Sequence, residues 1–187
     1  MKNTLIALAM VGAMTATAAH AGTITGEVRF ADVRGGQAPD STEYKVEYTA
    51  PLNSLLNYGA ELQVKQANGE GALDSKVSAR VGPRLPDLLG FHSEAYGEVG
   101  QNLKQGANFV FWGAGAKTKR TLYGPVAVTA GYRHREAFEG TERLTENRLD
   151  AGLALDIGSG NSVGAKYYRT TGTSRSDAIG VNVSHTF

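Results

Sequence analysis

The sequence STEYKVEYTA at residues 41–50 decides the fold class. Its apolar residues alternate one by one with charged or hydroxyl residues. Because successive side chains of a β-strand point to opposite faces, this period of two predicts a strand with one apolar face and one polar face. A helix would instead repeat its apolar residues every three or four positions.

The same alternation recurs along the rest of the chain in segments of about ten residues, the length that crosses a bilayer when a strand is tilted near 45°. The pattern predicts an all-β fold, an antiparallel up-and-down barrel of ten strands. Eight strands with two irregular segments is the alternative. The ten predicted strands cover residues 23–32, 41–50, 58–66, 72–81, 91–101, 108–119, 125–135, 147–157, 162–170 and 177–187.

A soluble β-sandwich shows the same alternation, so the composition of the apolar face has to separate the two folds. A sandwich buries large side chains there, whereas this face also carries many Ala and Gly residues. Aromatic residues near strand ends are typical of the girdles at the two surfaces of a membrane. Those in this chain are Phe30, Tyr44, Tyr58, Phe91, Trp112, Tyr132, Tyr167 and Phe187. Both features favour a transmembrane barrel.

The chain begins with a segment that is typical of protein export. Lys2 precedes the apolar residues 5–14, and Ala19-His20-Ala21 matches a cleavage site. The apolar stretch is shorter than the roughly 20 residues that a membrane-spanning helix needs. We therefore predict a cleaved signal peptide at residues 1–21 and one barrel domain at residues 22–187.

Charge and cysteine content exclude several classes of partner and site. The chain has 19 Lys and Arg against 18 Asp and Glu, and cleavage removes only Lys2, which leaves the mature chain formally neutral. A nucleic-acid partner would favour a basic excess, so none is expected. The absence of cysteine excludes disulfides, thiolate metal sites and a lipid-anchored cysteine. No metal-ligand spacing or cofactor motif occurs, so no cofactor is expected.

The last predicted strand ends Val181-Asn182-Val183-Ser184-His185-Thr186-Phe187, with an aromatic residue at the carboxy-terminus. Together with the export segment and the alternation throughout, this ending resembles the small, porin-like β-barrel proteins of the bacterial outer membrane. The resemblance implies contact with outer-membrane lipid and lipopolysaccharide. It also implies that the barrel-assembly machinery reads the terminal strand ending at Phe187. His185 departs from the usual pattern, which often has an aromatic residue at that place.

In such a barrel both termini lie in the periplasm and the connections alternate between the two sides. The predicted outer connections are residues 33–40, 68–71, 102–107, 137–146 and 171–176. The predicted periplasmic connections are residues 51–57, 82–90, 120–124 and 158–161. Residues 85–89 are unusually apolar for a periplasmic connection, and we expect them to lie against the membrane surface.

The polar face of the strands would point into the barrel and would carry the candidate site. It is more acidic on strands one to five and mainly basic on strands six to ten, so the two walls would oppose each other. The predicted channel-lining residues are Glu27, Arg29, Glu43, Lys45, Glu47, Glu61, Lys65, Asp74, Lys76, Arg80, Glu94, Glu98, Lys117, Lys119, Arg133, Arg135, Arg148, Asp150, Asp156 and Lys166.

Two functions fit such an interior. The first is a narrow, passive channel for small polar or ionic solutes, in which the opposed walls set a transverse field. Glycines on strands six, eight and nine favour free volume for it. The second is a closed barrel in which the same charges pair across the axis as a salt-bridged core. It would act as a structural, receptor or adhesion module through its outer loops. A ten-strand cylinder of roughly 10 Å radius leaves a narrow axis or none, which fits both.

An enzymatic site is not predicted. His92, His134 and His185 have no serine or carboxylate partner in a recognised motif. One further hypothesis concerns the segment Tyr132-Arg133-His134-Arg135, a basic cluster that would touch the phosphates of lipopolysaccharide.

Overall fold

The structure is a computed structural model that describes residues 21–32, 41–67, 73–104, 107–138 and 144–187. Nearly all of the predicted signal peptide lies outside these residues, and so do the predicted outer connections 33–40 and 68–71 and parts of those at 102–107 and 137–146. Within the described ranges, no helix is long and apolar enough to cross a bilayer.

The strands form one closed antiparallel barrel, as the alternation predicts, and they number ten rather than eight. Each strand pairs with its neighbours in the sequence, and the first pairs with the last. The strands are β1 (Thr23–Asp32), β2 (Ser41–Pro51), β3 (Leu56–Ala67), β4 (Leu73–Pro83), β5 (Phe91–Lys104), β6 (Ala107–Tyr123), β7 (Val126–Ala137), β8 (Thr145–Gly158), β9 (Asn161–Gly172) and β10 (Ser176–Thr186).

The barrel closes through β1 and β10. These strands pair from Thr23 with Thr186 to Asp32 with Asp177. Next to the Thr23–Thr186 pair, the backbone N–H of Phe187 donates to the carbonyl of Gly22 at 2.9 Å. Closure leaves no unpaired strand edge, which is the condition for a sheet to cross hydrocarbon. We call the end that carries Gly22 and Phe187 the terminal end, and the opposite end the loop end.

The two faces of each strand meet opposite surroundings. On β2, Glu43, Lys45 and Glu47 point inward and are buried, while Tyr44 points outward with 47% of its surface exposed. The outer surface carries a belt of exposed apolar side chains that would be unfavourable in water. Its members include Phe30, Tyr44, Val77, Val81, Val99, Val110, Trp112, Tyr132, Leu149, Leu153, Leu155, Tyr167, Ile179, Val181 and Val183.

Several strands are longer than the sequence pattern predicts. Asn102 and Glu146 were expected in outer connections, but they lie within β5 and β8, where they pair with Lys76 and Arg135 respectively. Residues 120–123 were expected in a periplasmic connection and instead extend β6, which is paired with β7 as far as Tyr123. Pairing with a neighbouring strand keeps these residues extended although their apolar alternation has ended.

Two tight turns at the terminal end have the same backbone form. In the connection from β4 to β5, Leu89 and Gly90 form the turn between the paired residues Leu88 and Phe91, with φ angles of 53° and 78°. Ser159 and Gly160 join β8 to β9 with φ angles of 54° and 74°. Positive φ at both central residues defines the type I′ turn, which matches the twist of an antiparallel hairpin.

Candidate functional site

The predicted interior residues fall into three groups by burial. The buried ones are Glu27, Arg29, Glu43, Lys45, Glu47, Glu61, Arg80, Glu98, Arg133, Arg135 and Arg148. Those of intermediate exposure are Lys65, Asp74, Lys76, Glu94, Lys117, Asp150 and Lys166. Lys119 and Asp156 are exposed near the terminal end, where the Asp156 carboxylate accepts a hydrogen bond from the backbone N–H of Gly158 at 2.8 Å.

A central cluster joins the two walls across the barrel. Glu61 on β3 accepts hydrogen bonds from Arg133 and Arg135 on β7, each at 2.9 Å. Arg135 also donates from Nε to Glu98 on β5 at 2.6 Å, and its guanidinium lies 4.9 Å from the ring centre of Phe111. The exposed fractions of Arg135 and Phe111 are both 0%. These side chains fill the interior of the barrel between β3, β5 and β7.

A second cluster surrounds Glu47 on β2. Its carboxylate accepts hydrogen bonds from Arg80 on β4, from Lys117 on β6 at 2.7 Å and from Lys45 at 3.1 Å. Lys45 also contacts Glu27 at 2.9 Å, which links this cluster to β1. Three cations therefore converge on one buried carboxylate. Acidic and basic side chains of the two walls lie at contact distance from one another.

A third group, which we call the tyrosine layer, consists of Arg29, Tyr168 and Arg148. The guanidinium carbons of Arg29 and Arg148 lie 4.2 Å and 5.9 Å from the centre of the Tyr168 ring. The Tyr168 hydroxyl donates to Glu27, and Arg29 donates to both Glu27 and Glu43. Stacking of guanidinium groups on an aromatic face adds attraction to these ion pairs.

Three of the cavities lined by described residues follow one another from the loop end to the terminal end. The outer cavity, about 280 Å³, is at the loop end, the middle cavity of about 180 Å³ lies below it, and the terminal cavity of about 510 Å³ is at the terminal end. The three residues of the tyrosine layer border both the outer and the middle cavity. Lys117 and Lys166 border both the middle and the terminal cavity. The tyrosine layer is therefore the partition nearest the loop end.

Inward-facing glycines make room for long side chains rather than for an open path. The space beside Gly115 is taken by Tyr96, and that beside Gly100 by Phe111. In each pair the aromatic residue stands directly opposite the glycine on the neighbouring strand. The ring covers the glycine backbone, an arrangement that stabilises sheets. The expectation that glycines of strand six supply free volume is therefore wrong at Gly115, and Gly100 on β5 makes room in the same way.

Sequence reasoning missed Glu146 as an interior residue. It accepts hydrogen bonds from Arg133 and Lys76, each at 3.3 Å, and pairs with Arg148 at 3.0 Å. Glu146 stands two positions before Arg148 on the same inward face of β8. Extending the alternation of this strand by one repeat would have found it.

The lipopolysaccharide hypothesis for residues 132–135 is wrong for both arginines. Arg133 and Arg135 point into the barrel and are buried. Only Tyr132 and His134 face outward, where both form hydrogen bonds with the Asn147 side-chain oxygen at 2.9 Å. The period of two separates neighbours in the sequence onto opposite faces, so these four residues cannot form one cluster.

The other two histidines that the structure describes, His92 and His185, lie at the terminal end. His92 is exposed beside Asp87, with 2.8 Å between Nδ1 and the carboxylate. His185 forms a hydrogen bond with Asn161 and packs edge-on against Phe187, with ring centres 4.6 Å apart. Among the described residues, no group of three or more His, Cys, Asp or Glu side chains is arranged to hold a metal ion.

Comparison with known proteins identifies the fold. No family model and no curated protein matches the sequence. The translocator domain of the autotransporter NalP from Neisseria meningitidis covers 100% of this chain and 98% of its own length, with a TM-score of 0.51 and 12% identity. The β domain of the Bordetella autotransporter BrkA covers 89% of this chain and 99% of its own, with a TM-score of 0.54 and 11% identity.

LpxR from Salmonella typhimurium is similar in the same way. It covers 88% of this chain and 100% of its own length, with a TM-score of 0.52 and 10% identity. Identities this low carry the fold and no activity. The closed ten-strand architecture, the apolar outer belt and these likenesses together give the chain the fold of the bacterial outer-membrane β-barrels.

Proposed function

We propose that the protein is an integral β-barrel of the bacterial outer membrane whose lumen is closed by paired charges. The apolar outer belt and the fold support the location. The observation that carries the closed lumen is the central cluster, in which Arg135 on β7 joins Glu61, four strands away on β3, to Glu98, two strands away on β5, and has no exposed surface. The barrel would then act through its two ends, as a structural, receptor or adhesion module.

The free-energy cost of separating buried ion pairs favours a charge network that stays intact. Separating a buried ion pair leaves at least one charge without its partner in a medium of low dielectric constant, which costs about 3–5 kcal/mol per broken pair. The guanidinium of Arg135 donates through all three of its nitrogens, to Glu61, Glu98 and Gln63. A solute passing on this side would have to break several such contacts together.

A narrow channel for small ions is the second candidate, and one observation favours it. The outer and middle cavities are both bordered by Arg29, Arg148 and Tyr168, so a single layer of side chains stands between them. Movement of this layer would join the two cavities into one path. Small polar or ionic solutes are the partners that this path would admit.

We also propose that the barrel-assembly machinery recognises β10 through its outward residues. Val181 and Val183 are exposed in the apolar belt, and the ring of His185 packs against Phe187 at the end of the strand. The imidazole thus contributes a second ring at the place where an aromatic residue is usual.

Planar-bilayer recording separates the two candidates. We expect purified wild-type protein to show no reproducible unitary current, because the tyrosine layer separates the outer from the middle cavity and the central cluster fills the interior between β3, β5 and β7. Insertion is verified on the same preparation by heat-modifiable migration on a gel, so that silence is not mistaken for failed insertion. A reproducible, voltage-independent open level in the wild type would reject the closed lumen in favour of the channel.

A further inference from the structure

Three neighbouring turns at the terminal end carry exposed leucines. They are the turns between β2 and β3, between β4 and β5, and between β6 and β7, the last taken together with the final residues of β6. We call their apolar residues the leucine rim: Leu52, Leu55, Leu85, Leu88, Leu89, Leu122 and Tyr123. The fourth turn at this end, between β8 and β9, instead presents Ser159 and Gly160.

The rim is continuous because its turns touch one another. The backbone N–H of Arg84, before the second turn, donates to the carbonyl of Leu55 in the first turn at 2.8 Å. Phe91, which closes the second turn against Leu88, pairs with Arg120 just before the third turn. The Arg120 guanidinium lies 5.0 Å from the centre of the Phe91 ring.

The backbone does not require leucine at the tip of the second turn. Leu89 and Ser159 occupy the same position of the same type I′ turn, with φ angles of 53° and 54°. Asn, Asp and Gly are the residues that favour this conformation, and a bulky side chain is strained in it. Yet Leu88 and Leu89 have exposed fractions of 71% and 79%. The turn conformation therefore gives no reason for leucine at this exposed position.

We infer that the leucine rim inserts into the periplasmic leaflet of the membrane, with phospholipid acyl chains as its partner. This inference rests on the proposed outer-membrane location. The apolar outer face of β4 and β5 continues through Val81 and Phe91 to the leucine rim. This continuity with the apolar belt favours lipid as the partner. An arginine stacked on an aromatic ring, as Arg120 is on Phe91, suits the level of the lipid headgroups.

A protein partner fits the composition less well. Binding hot spots between proteins favour Trp, Tyr and Arg, and leucine is under-represented in them. The rim contains six leucines and one tyrosine. It also covers only the β2–β7 side of the barrel, so that side sits deeper in the leaflet than the side with the Ser159 turn.

Single-cysteine labelling tests this inference, and the chain has no cysteine of its own to remove. Leu89→Cys and Ser159→Cys place the same fluorophore on the same turn conformation. Leu153→Cys places it in the apolar belt. Each protein is reconstituted in phosphatidylethanolamine–phosphatidylglycerol vesicles and quenched by doxyl-labelled lipid or by aqueous iodide.

We expect doxyl lipid to quench the label at position 89 several-fold more strongly than the label at position 159, with iodide giving the reverse order. Equal quenching at the two turns, with the belt label at position 153 still quenched by lipid, would overturn the inference. Shielding of position 89 from both quenchers would also overturn it and would indicate a protein contact. A belt label that iodide quenches and lipid does not would instead refute the membrane location itself.

Discussion

Replacing Arg135 with leucine is expected to lower the free energy of unfolding by about 3–5 kcal/mol, the usual cost of removing one partner from a buried ion pair. Arg135 has no exposed surface and holds Glu61 and Glu98 together. Leucine would leave Glu98 with Ser78 as its remaining side-chain donor, at 3.3 Å. Guanidinium titration of the folded barrel in vesicles, followed by gel migration, measures the loss.

Two variants control this experiment. Arg175→Leu removes an exposed arginine from the connection between β9 and β10, and a change within about 0.5 kcal/mol is expected there. Adding Glu98→Gln to Arg135→Leu should recover part of the loss, because it neutralises the stranded carboxylate while Glu61 retains Arg133. A cost below about 1 kcal/mol for Arg135→Leu would mean that water already solvates this cluster, which contradicts a closed lumen.

Shortening Tyr168 to alanine is expected to convert a silent barrel into a conducting one. The Tyr168 ring lies against Arg29 and Arg148 between the outer and the middle cavity. Its removal takes away the surface on which both guanidinium groups stack and the hydroxyl that binds Glu27. Planar-bilayer recording should then resolve a reproducible unitary current that the wild type lacks.

Tyr132→Ala is the matched control, since this tyrosine faces outward in the apolar belt. It should insert and remain silent. If Tyr168→Ala inserted normally and also stayed silent, the tyrosine layer would not be the partition of the lumen. A wild-type protein that conducts as well as Tyr168→Ala would mean that no partition exists.

The strand count and the two faces were predictable because both depend on local alternation. The pattern at residues 41–50 predicts which side chains of β2 face inward, and Glu43, Lys45 and Glu47 are buried as predicted. The ends of the strands were less predictable. Polar residues such as Glu146 continue a strand inside a polar lumen just as they would begin a loop. Extending the alternation makes Glu146 a candidate for the strand, and its pairing with β7 and β9 decides between the two.

Contacts across the axis could not be read from the pattern. Glu61 and Arg133 form a hydrogen bond in the interior although they are 72 positions apart in the chain. Whether they meet or face each other across water depends on strand register and barrel radius, which local alternation does not encode. The same limit applies to Phe111, whose space depends on Gly100 standing opposite it on the neighbouring strand.

Structural similarity to other barrels does not determine the activity of this protein. An autotransporter translocator domain and LpxR cover nearly the same part of this chain at 12% and 10% identity. One fold therefore carries proteins of different kinds, and the work of each depends on the residues that fill and rim its barrel. For this chain those residues are the central cluster, the tyrosine layer and the leucine rim.

Spin labels placed one at a time along residues 149–154 of β8 test most directly whether alternate side chains meet hydrocarbon and a packed polar lumen. In reconstituted vesicles, collisions with oxygen should be high at Leu149, Ala151 and Leu153 and low at Asp150, Gly152 and Ala154, giving a period of two. Uniform accessibility to a water-soluble nickel chelate along all six positions would contradict a membrane-spanning barrel with a closed interior.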